Sequence, residues 1–490
     1  MTLRSPRSEF VRKALLALAP AVLLLATAGS ASASTKQETI LQDDRLFGDA
    51  SRQFAAIEEA DSLGVDTIHA VVVWDTIAPK NTSKTKPAGF NGANLSSYDP
   101  ARWDRFDDLV READKRGIDI LLSPSGPVPT WASTCKSPGK PKVCEPNAKE
   151  YQAFFAAVVK RYNGSTRDEN QGEEILPKVD RFSVWNEPNL KGWLQPTSKN
   201  VMLYRNLFYA AQKGVVQGGQ RNAQLLLGEL APLNGSLRFY QQLFCIDAAG
   251  KALQGAAATK AGCKPGKRIA RLNATGIAHH PYGRGGSPPL KAGGRDDLTL
   301  RDIAKLTNVL KQGAKVRAIK PNLKIYMTEF GISSKPPAKK FGVSLTQQAR
   351  ELNHAEFVAY NNKQINSFAQ FQLFDDPNLT SFQTGLKFSD GKAKPSFDAF
   401  RIPLYVTPKG NQVRVWGGVR PGAGQQAEIQ SGSGSNWTTV KTVPVNGFGY
   451  IDQTIAKPSG KIRLRWTSPT GEVFTSREAA VDKLDPVAKR

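Results

Sequence analysis

The chain has 490 residues, more than one compact domain ordinarily holds, so two folded parts are expected. Lys and Arg number 67 against 43 Asp and Glu, and the net charge of +24 is spread along the chain. Such charge is compatible with nucleic acid, an anionic cell wall or an acidic polysaccharide. No nucleic-acid-binding motif accompanies it, so a nucleic-acid partner is not expected. Simple solubility explains the charge at least as well.

The first 33 residues have the organisation of a secretory signal peptide. Basic residues within the first 13 positions precede an apolar run over 14–26, and Ala31-Ser32-Ala33 is a small-residue cleavage site. The apolar run is short for a membrane span, so an uncleaved anchor is disfavoured. The mature protein is therefore expected to be secreted, either free or associated with the cell wall, with no transmembrane segment.

Export permits disulfide bonds, and the chain has four cysteines. Cys135 and Cys144 are 9 positions apart, and Cys245 and Cys263 are 18 apart. Both intervening segments are rich in Gly, Pro and Lys, so we predict that neighbours pair, although three connectivities are open. No Cys or His lies at ligand spacing beside them, so neither a metal site nor a cofactor is expected.

Apolar strands and amphipathic helices alternate over residues 38–403. This alternation predicts a parallel sheet with crossover helices. Eight strands are predicted, over residues 39–47, 67–74, 118–123, a fourth ending at 187, 224–230, 276–282, 324–330 and 367–374. Eight strands favour a closed TIM (β/α)8 barrel, an α/β fold in which the strand ends gather on one face with the chemistry.

The sequence changes character over residues 405–482. Apolar residues such as Ile462, Leu464 and Trp466 alternate at period two between turns rich in Gly, Pro and Ser. This predicts a small all-β, immunoglobulin-like sandwich. It is either a carbohydrate- or wall-binding module or, the favoured interpretation, a part that packs on the barrel or acts as a spacer. The predicted organisation is a signal peptide (1–33), a barrel domain (34–403) and a sandwich (404–490).

Two carboxylates follow predicted buried strands. The segment 179–190, VDRFSVWNEPNL, ends its strand at Asn186-Glu187-Pro188, and the segment 324–333, KIYMTEFGIS, ends its strand at Glu329 and a Gly-containing turn. A partly buried carboxyl beside an amide can stay protonated and act as a general acid. Retaining hydrolysis of a glycosidic bond needs a second carboxylate as the nucleophile.

These two motifs, in this order, resemble the large clan of retaining (β/α)8-barrel glycosidases that includes many cellulases, mannanases and β-xylosidases. In that clan the Glu after the fourth strand is the acid/base and the Glu after the seventh is the nucleophile. Glu187 and Glu329 match those positions. The resemblance also implies that Asn186 hydrogen-bonds the sugar 2-hydroxyl, and it covers roughly residues 38–403.

Further side chains at predicted strand ends are candidates for substrate binding. The clan often has a His and a Tyr after the sixth strand, which His280 and Tyr282 match, and the Tyr hydroxyl can donate to the nucleophile and keep it ionised. Trp74, Trp131 and Trp193 each follow a strand on the same face, and flat rings suit pyranose sugars. For any one of them, buried packing is an equally good interpretation.

Two positions depart from the clan. It commonly has an Arg on the second strand, where this chain has Ile68-His69-Ala70, and Arg45 is a candidate substitute. It commonly has a Trp after the eighth strand, where Phe374 would have to substitute. Glu229, at the end of the fifth strand, is a third carboxylate, for which an ordinary salt bridge is favoured over contact with a sugar or a cation.

The sequence therefore predicts a secreted retaining glycoside hydrolase that acts on a β-linked glycan or glycoside, without a cofactor. Its partner is an oligo- or polysaccharide substrate, with loose adhesion to an anionic cell surface. The alternative is a catalytically silent glycan- or cell-wall-binding protein on the same scaffold. The intact Glu pair argues against that alternative, and the changed Arg and Trp positions argue weakly for it.

The placement of basic residues predicts how the protein responds to salt. Lys86 and Lys142 lie on the predicted mouth side, but Lys339, Lys392 and Lys489 are scattered, so a neutral or weakly anionic substrate is expected. Between about 50 and 200 mM salt the Debye length shortens, so retention on an anionic matrix should fall sharply while turnover changes little. Parallel loss of hydrolysis and adhesion would instead indicate a uronic-acid polymer.

Overall fold

The computed structural model describes residues 35–136, 141–172, 174–264, 268–283 and 293–482. The signal peptide predicted over residues 1–33 lies outside these described residues. In the described ranges, no helix combines the length and apolar character needed to span a membrane.

Eight parallel strands close into a barrel in chain order, and the eighth pairs with the first. They are β1 (Glu38–Gln42), β2 (Thr67–Val73), β3 (Asp119–Ser125), β4 (Arg181–Ser183), β5 (Gln224–Leu230), β6 (Gly276–His279), β7 (Lys324–Met327) and β8 (Ile365–Phe371). The predicted (β/α)8 barrel is therefore confirmed.

Several strands end earlier than their apolar character predicts. The fourth ends at Ser183 and not at Glu187, because Trp185 and Glu187 adopt positive φ angles of 67° and 38° and leave the hydrogen-bonded ladder. The eighth ends at Phe371, since the next residue, Gln372, has a φ of 73°. These residues belong to the loops that build the mouth of the barrel.

Helices fill the connections between the strands. They are α1 (Asp44–Phe47), α2 (Ala50–Ser62), α3 (Trp74–Ile77), α4 (Asp104–Arg116), α5 (Ala148–Arg161), α6 (Asn200–Gln217), α7 (Ser236–Leu243), α8 (Gly255–Lys260), α9 (Ile303–Lys315), α10 (Leu345–Tyr360) and α11 (Pro395–Arg401). Helix α5 illustrates their design. Asn147 caps it by accepting from the N–H groups of Lys149 and Glu150, and its apolar stripe, including Tyr151 and Phe155, is fully buried.

The chain continues into an all-β part, as predicted. Its strands are β9 (Leu404–Lys409), β10 (Gln412–Gly418), β11 (Gln426–Ser433), β12 (Asn436–Pro444), β13 (Tyr450–Ala456), β14 (Lys461–Thr467) and β15 (Val473–Thr475). They form two antiparallel sheets, in the orders β13-β10-β9 and β12-β11-β14-β15. Ile462, Leu464 and Trp466, which alternate in the sequence, are all buried in its core.

A buried ion pair joins this part to the barrel. Arg420, which follows β10, donates to Glu356 on α10 and to the Tyr450 hydroxyl at 3.1 Å, and that hydroxyl donates to Glu356 at 2.6 Å. All three side chains are buried, and aromatic residues of both parts pack around them. This packing fits the favoured interpretation that the sandwich rests on the barrel.

The four cysteines pair as predicted, in two local bridges. Cys135–Cys144 and Cys245–Cys263 have Cα atoms 5.5 and 5.8 Å apart. Each bridge closes one loop.

The buried junction predicts a large effect on stability. Glu356→Ala would leave the Arg420 guanidinium buried without its carboxylate, so the free energy of unfolding should fall by about 3–5 kcal/mol. Lys461→Ala removes an exposed ion pair with Glu478. It should lower the free energy of unfolding by less than about 1 kcal/mol. Urea unfolding of both variants measures the difference, and equal midpoints would contradict the role of the junction.

Candidate active site

A cavity of about 650 Å³ opens at the carboxyl ends of the barrel strands. Five of the predicted site residues line it: Asn186, Glu187, Trp193, Tyr282 and Glu329. Much of the remaining lining is apolar and includes Val71, Val73, Leu190, Leu233, Phe371 and Phe382. The described sandwich residues do not line this cavity, which belongs to the barrel alone.

Glu187 and Glu329 face each other beside the Nδ1 atom of His280. Glu187 Oε1 lies 3.1 Å from that nitrogen, and Glu329 Oε2 lies 2.7 Å from it. One carboxylate oxygen of Glu187 lies within 4.8 Å of one carboxylate oxygen of Glu329. Retaining enzymes hold their carboxyl groups roughly 5–5.5 Å apart, whereas inverting enzymes need roughly 6.5–9.5 Å. The two groups are therefore close enough to flank one sugar carbon.

The backbone at Glu187 is held in an uncommon conformation. Its φ of 38° lies in a region that residues other than glycine rarely adopt. The Glu187 N–H donates to the Glu229 carbonyl at 2.9 Å, which ties this loop to the end of β5. Asn189 adds a second tie, because its amide accepts from the Ala231 N–H at 3.1 Å and donates to the Ala231 carbonyl at 3.0 Å. These contacts fix the direction of the Glu187 side chain.

His280 is fully buried and contacts three carboxylates. Its Nε2 lies 2.7 Å from Glu229, while its Nδ1 faces Glu187 and Glu329. Burial alone would lower the pKa of His280, but the charge of Glu329 and the hydrogen bonds to the three carboxylates raise it well above its ordinary value. The side chain is therefore an imidazolium at neutral pH, and both of its nitrogens donate.

Glu229 lies beneath the pair and holds His280 in its charged form. Burial alone would raise the pKa of Glu229, but the hydrogen bond from His280 and the nearby His69 and His280 lower it to about 2. Thr328 also donates to this carboxylate, at 2.5 Å. The sequence favoured an ordinary salt bridge for Glu229. Glu229 does form a salt bridge, but with His280 inside the buried network of the site and not with an exposed partner on a loop.

The surroundings of Glu187 favour its protonated form, which is the form a general acid needs. Burial raises the pKa of Glu187, the hydrogen bond from His280 opposes the rise, and the charge of Glu329 adds to it. A raised pKa keeps the proton on a carboxyl that must donate it to a leaving group. Glu329 lies 2.7 Å from the imidazolium, which balances part of its negative charge.

Asp44 is a further carboxylate of the cavity, and sequence reasoning missed it. It begins α1 directly after β1 and accepts from the Val71 N–H at 2.8 Å and from Gln42 Nε2 at 2.9 Å. Asp44 is exposed where it lines the cavity. Only its position at a strand end could have marked it in the sequence.

Two of the candidate tryptophans do not line the cavity. Trp74 is 1% exposed and stacks on Phe154, with ring centroids 5.2 Å apart. Trp131 meets the Trp74 ring edge-on at 6.0 Å and donates Nε1 to the Pro79 carbonyl at 3.0 Å. Packing, the interpretation left open for each, describes both residues.

The two proposed substitutes for clan residues also lie elsewhere. Phe374 is not part of the cavity lining, and Phe371, at the end of β8, occupies the wall together with Phe382, whose ring lies 5.5 Å away. Arg45 donates to the Phe374 carbonyl at 2.7 Å and pairs with Asp43 and Asp376. The early end of β8 accounts for the change from Phe374 to Phe371.

Tyr282 lines the cavity wall against the ring of Phe330, 6.1 Å away. Its hydroxyl is enclosed, and Glu329 acts on it through its charge and a side-chain hydrogen bond. Burial, with the charges of Glu329 and Glu187, raises the pKa of Tyr282 well above its ordinary value. The hydroxyl therefore keeps its proton, and its predicted donation to the nucleophile stays a prediction.

Glu187, His280 and Glu329 are also residue types that bind divalent metals, and their ligand atoms lie within 4.8 Å of one another. A histidine ligates through a nitrogen that carries no proton. A metal ion bound by this set would therefore have to displace the proton that His280 shares with the carboxylates.

No known protein family and no curated protein matches the chain by sequence. Solved structures similar to it include a family 39 glycoside hydrolase from the gut symbiont Bacteroides cellulosilyticus WH2, with 15% identity over 86% of this chain and 82% of that chain and a TM-score of 0.49. A monomeric beta-xylosidase from Caulobacter crescentus CB15 has 14% identity over 87% of this chain and 94% of that chain, with a TM-score of 0.49. Because these scores are low, we infer the function from the geometry of the site.

The buried network predicts a pH effect. Glu229→Gln should lower the pKa of His280, so the alkaline limb of the kcat/KM profile should move to lower pH. Losing a hydrogen bond to a charged group costs about 1.5–3 kcal/mol, so kcat/KM on an aryl glycoside should fall about tenfold to hundredfold. The exposed Glu472→Gln is the matched control, and a Glu229→Gln profile that superimposes on it would contradict this role.

Proposed function

We propose that the protein is a secreted retaining glycoside hydrolase that cleaves O-glycosidic bonds of a β-linked glycan or glycoside by double displacement. The observation that supports this most is the facing pair of Glu187 and Glu329, with oxygens within 4.8 Å of each other in the mouth of a closed barrel. This close approach favours direct attack by one carboxylate over attack by a water held between the two groups.

In the first step the Glu329 carboxylate attacks the anomeric carbon. The bond from that carbon to the leaving oxygen breaks, and Glu187 transfers its proton to this oxygen. The products are a glycosyl ester on Glu329 and an ionised Glu187. Asn186, which lines the cavity beside the acid, is the proposed partner of the sugar 2-hydroxyl.

In the second step Glu187 accepts a proton from water. The water oxygen bonds to the anomeric carbon as the ester bond to Glu329 breaks, and the released sugar keeps its original configuration after two inversions. Both carboxyl groups return to their starting states. Every group used in the two steps is a protein side chain or water.

Secretion is inferred from two independent features. Residues 1–33 have the pattern of a signal peptide, and the chain carries two disulfides. Disulfides form and persist in oxidising compartments and are rare in the cytosol.

Substituting each carboxylate tests the two roles. Glu329→Ala should abolish turnover, because no covalent intermediate can form. Glu187→Ala should still react with a 2,4-dinitrophenyl β-glycoside, whose leaving group needs no proton, and then stall because nothing activates the water. Mass spectrometry of the stalled variant should find the sugar on the peptide that carries Glu329.

The same assays include outcomes that would overturn the proposal. Near-normal steady-state turnover by Glu329→Ala would exclude it as the nucleophile, and inverted product in an NMR assay would exclude double displacement. A wild-type protein that binds glycans but hydrolyses no member of a panel of chromogenic β-glycosides and polysaccharides would be the silent binding protein. The exposed Glu472→Ala variant serves as the control for handling and folding.

A further inference from the structure

A second cavity, of about 700 Å³, adjoins the catalytic one. We call it the outer cavity, and it shares Leu190, Trp193 and Asn234 with the catalytic cavity. Two of these, Leu190 and Trp193, belong to the loop that begins at Glu187. Because Glu187 protonates the leaving oxygen in the proposed mechanism, we place the leaving group on the side of the outer cavity.

Three cations line the outer cavity. Lys191 comes from the loop after β4, Arg238 from α7, and Lys260 from the end of α8. No carboxylate is among the described residues of its lining. Arg238 donates to Asp296 nearby, whereas Lys191 and Lys260 form no ion pair with any residue that the structure describes. The cavity therefore has an unbalanced positive charge.

The catalytic cavity carries the opposite charge. Asp44 and Glu329 line it together with the protonated Glu187, and Lys340 is the cation of its described lining. Adjoining cavities of opposite potential orient a ligand whose two ends differ in charge. A carboxylate on the sugar beside Glu329 would meet like charges, whereas a carboxylate in the outer cavity would meet lysines.

The walls of the outer cavity are fixed before any ligand binds. The Cys245–Cys263 bridge joins the segments that directly follow α7 and α8, with Cα atoms 5.8 Å apart. Arg205 on α6 is only 4% exposed and donates to the carbonyls of Ala261 and Gln242, each at 2.6 Å. Together they hold in place the two helices that carry Arg238 and Lys260, which reduces the entropy lost when a ligand binds.

Trp193 lies where the two cavities meet. Trp193 is half-buried and lines both cavities, and its carbonyl accepts a hydrogen bond from Trp185 Nε1 at 3.2 Å, which holds the loop. A flat aromatic surface beside cations is the combination that binds an acidic sugar, because the ring contacts its apolar face and the cations bind its charged group.

We propose, building on the glycosidase function above, that the outer cavity binds a leaving-group sugar that carries an anion, either a uronate carboxylate or a sulfate ester. Trp193 supports the ring of that sugar, and Lys191, Arg238 and Lys260 bind its anionic group. The sugar attached to Glu329 in the intermediate is neutral, and the sugar released first is acidic, so turnover of such a substrate depends on salt, unlike the turnover expected from the scattered lysines of the sequence.

The test uses matched disaccharides that differ only in the leaving sugar. One set contains three compounds. The first is β-glucosyl-1,4-glucose, the second has C6 of its leaving glucose oxidised to a carboxylate, and the third carries a sulfate ester at O6 of its leaving glucose. A second set replaces the β-glucosyl unit with β-xylosyl. At low salt the wild-type kcat/KM should be about tenfold higher for an anionic leaving sugar, the sum expected of two or three exposed ion pairs. This ratio should fall as salt rises from about 50 to 200 mM.

Charge-removing variants connect the preference to the cavity. The double variant Lys191→Gln/Lys260→Gln should bring the ratio of anionic to neutral substrate close to one. Lys213→Gln/Lys311→Gln, two exposed lysines on α6 and α9, is the matched control and should keep the wild-type ratio. A stronger response to the carboxylate supports a uronate as the natural ligand, and a stronger response to the sulfate supports a sulfated sugar.

The outcomes separate this inference from the function on which it rests. A wild-type enzyme that hydrolyses nitrophenyl β-glycosides but shows no preference for either anionic leaving sugar overturns the outer-cavity assignment alone. Retention of the preference in Lys191→Gln/Lys260→Gln overturns it as well. A wild-type protein that hydrolyses none of the nitrophenyl glycosides overturns the glycosidase function itself.

Discussion

The imidazolium of His280 is the interaction on which the arrangement of the site depends, because it separates three carboxyl groups that share one buried volume. With a proton on Glu187, the cluster of Glu187, Glu229, Glu329 and His280 carries two negative charges and one positive charge. After the proposed first step Glu329 is an uncharged ester and Glu187 is ionised, so the net charge is the same. The negative charge moves between two oxygens that both face His280 Nδ1. The site therefore needs little reorganisation as charge moves.

The barrel and the carboxylate pair were predictable because each leaves a local trace in the sequence. Glu187 and Glu329 each follow an apolar strand and stand beside recognisable neighbours. Glu229 and Asp44 also lie at strand ends, but no recognisable motif surrounds them, because contacts made across the fold define their roles. Glu229 is bound by His280, 51 positions away, and by Thr328, 99 positions away. The apolar periodicity of a strand predicts that such a carboxylate is buried, but it does not predict which residues contact it.

Strand ends were the other point at which sequence and structure differ. Apolar character continues past β4 and β8, but positive φ angles at Trp185 and Gln372 end the hydrogen bonding first. Neither residue is a glycine or an asparagine, so these positive φ angles could not be predicted from residue type. Ending a strand early changes which side chain faces the barrel mouth. For this reason Phe371 lines the cavity and Phe374 does not.

The backbone at Glu187 has a consequence for how this fold can evolve. A non-glycine residue held at a φ of 38° stores roughly 1–3 kcal/mol of conformational strain, which a glycine at the same position would release. Mutation of the acid to glycine would thus inactivate the chain and relax it at the same time. A glycine there could keep the path of the loop while removing the acid, at the cost of the hydrogen bond between Glu187 and His280.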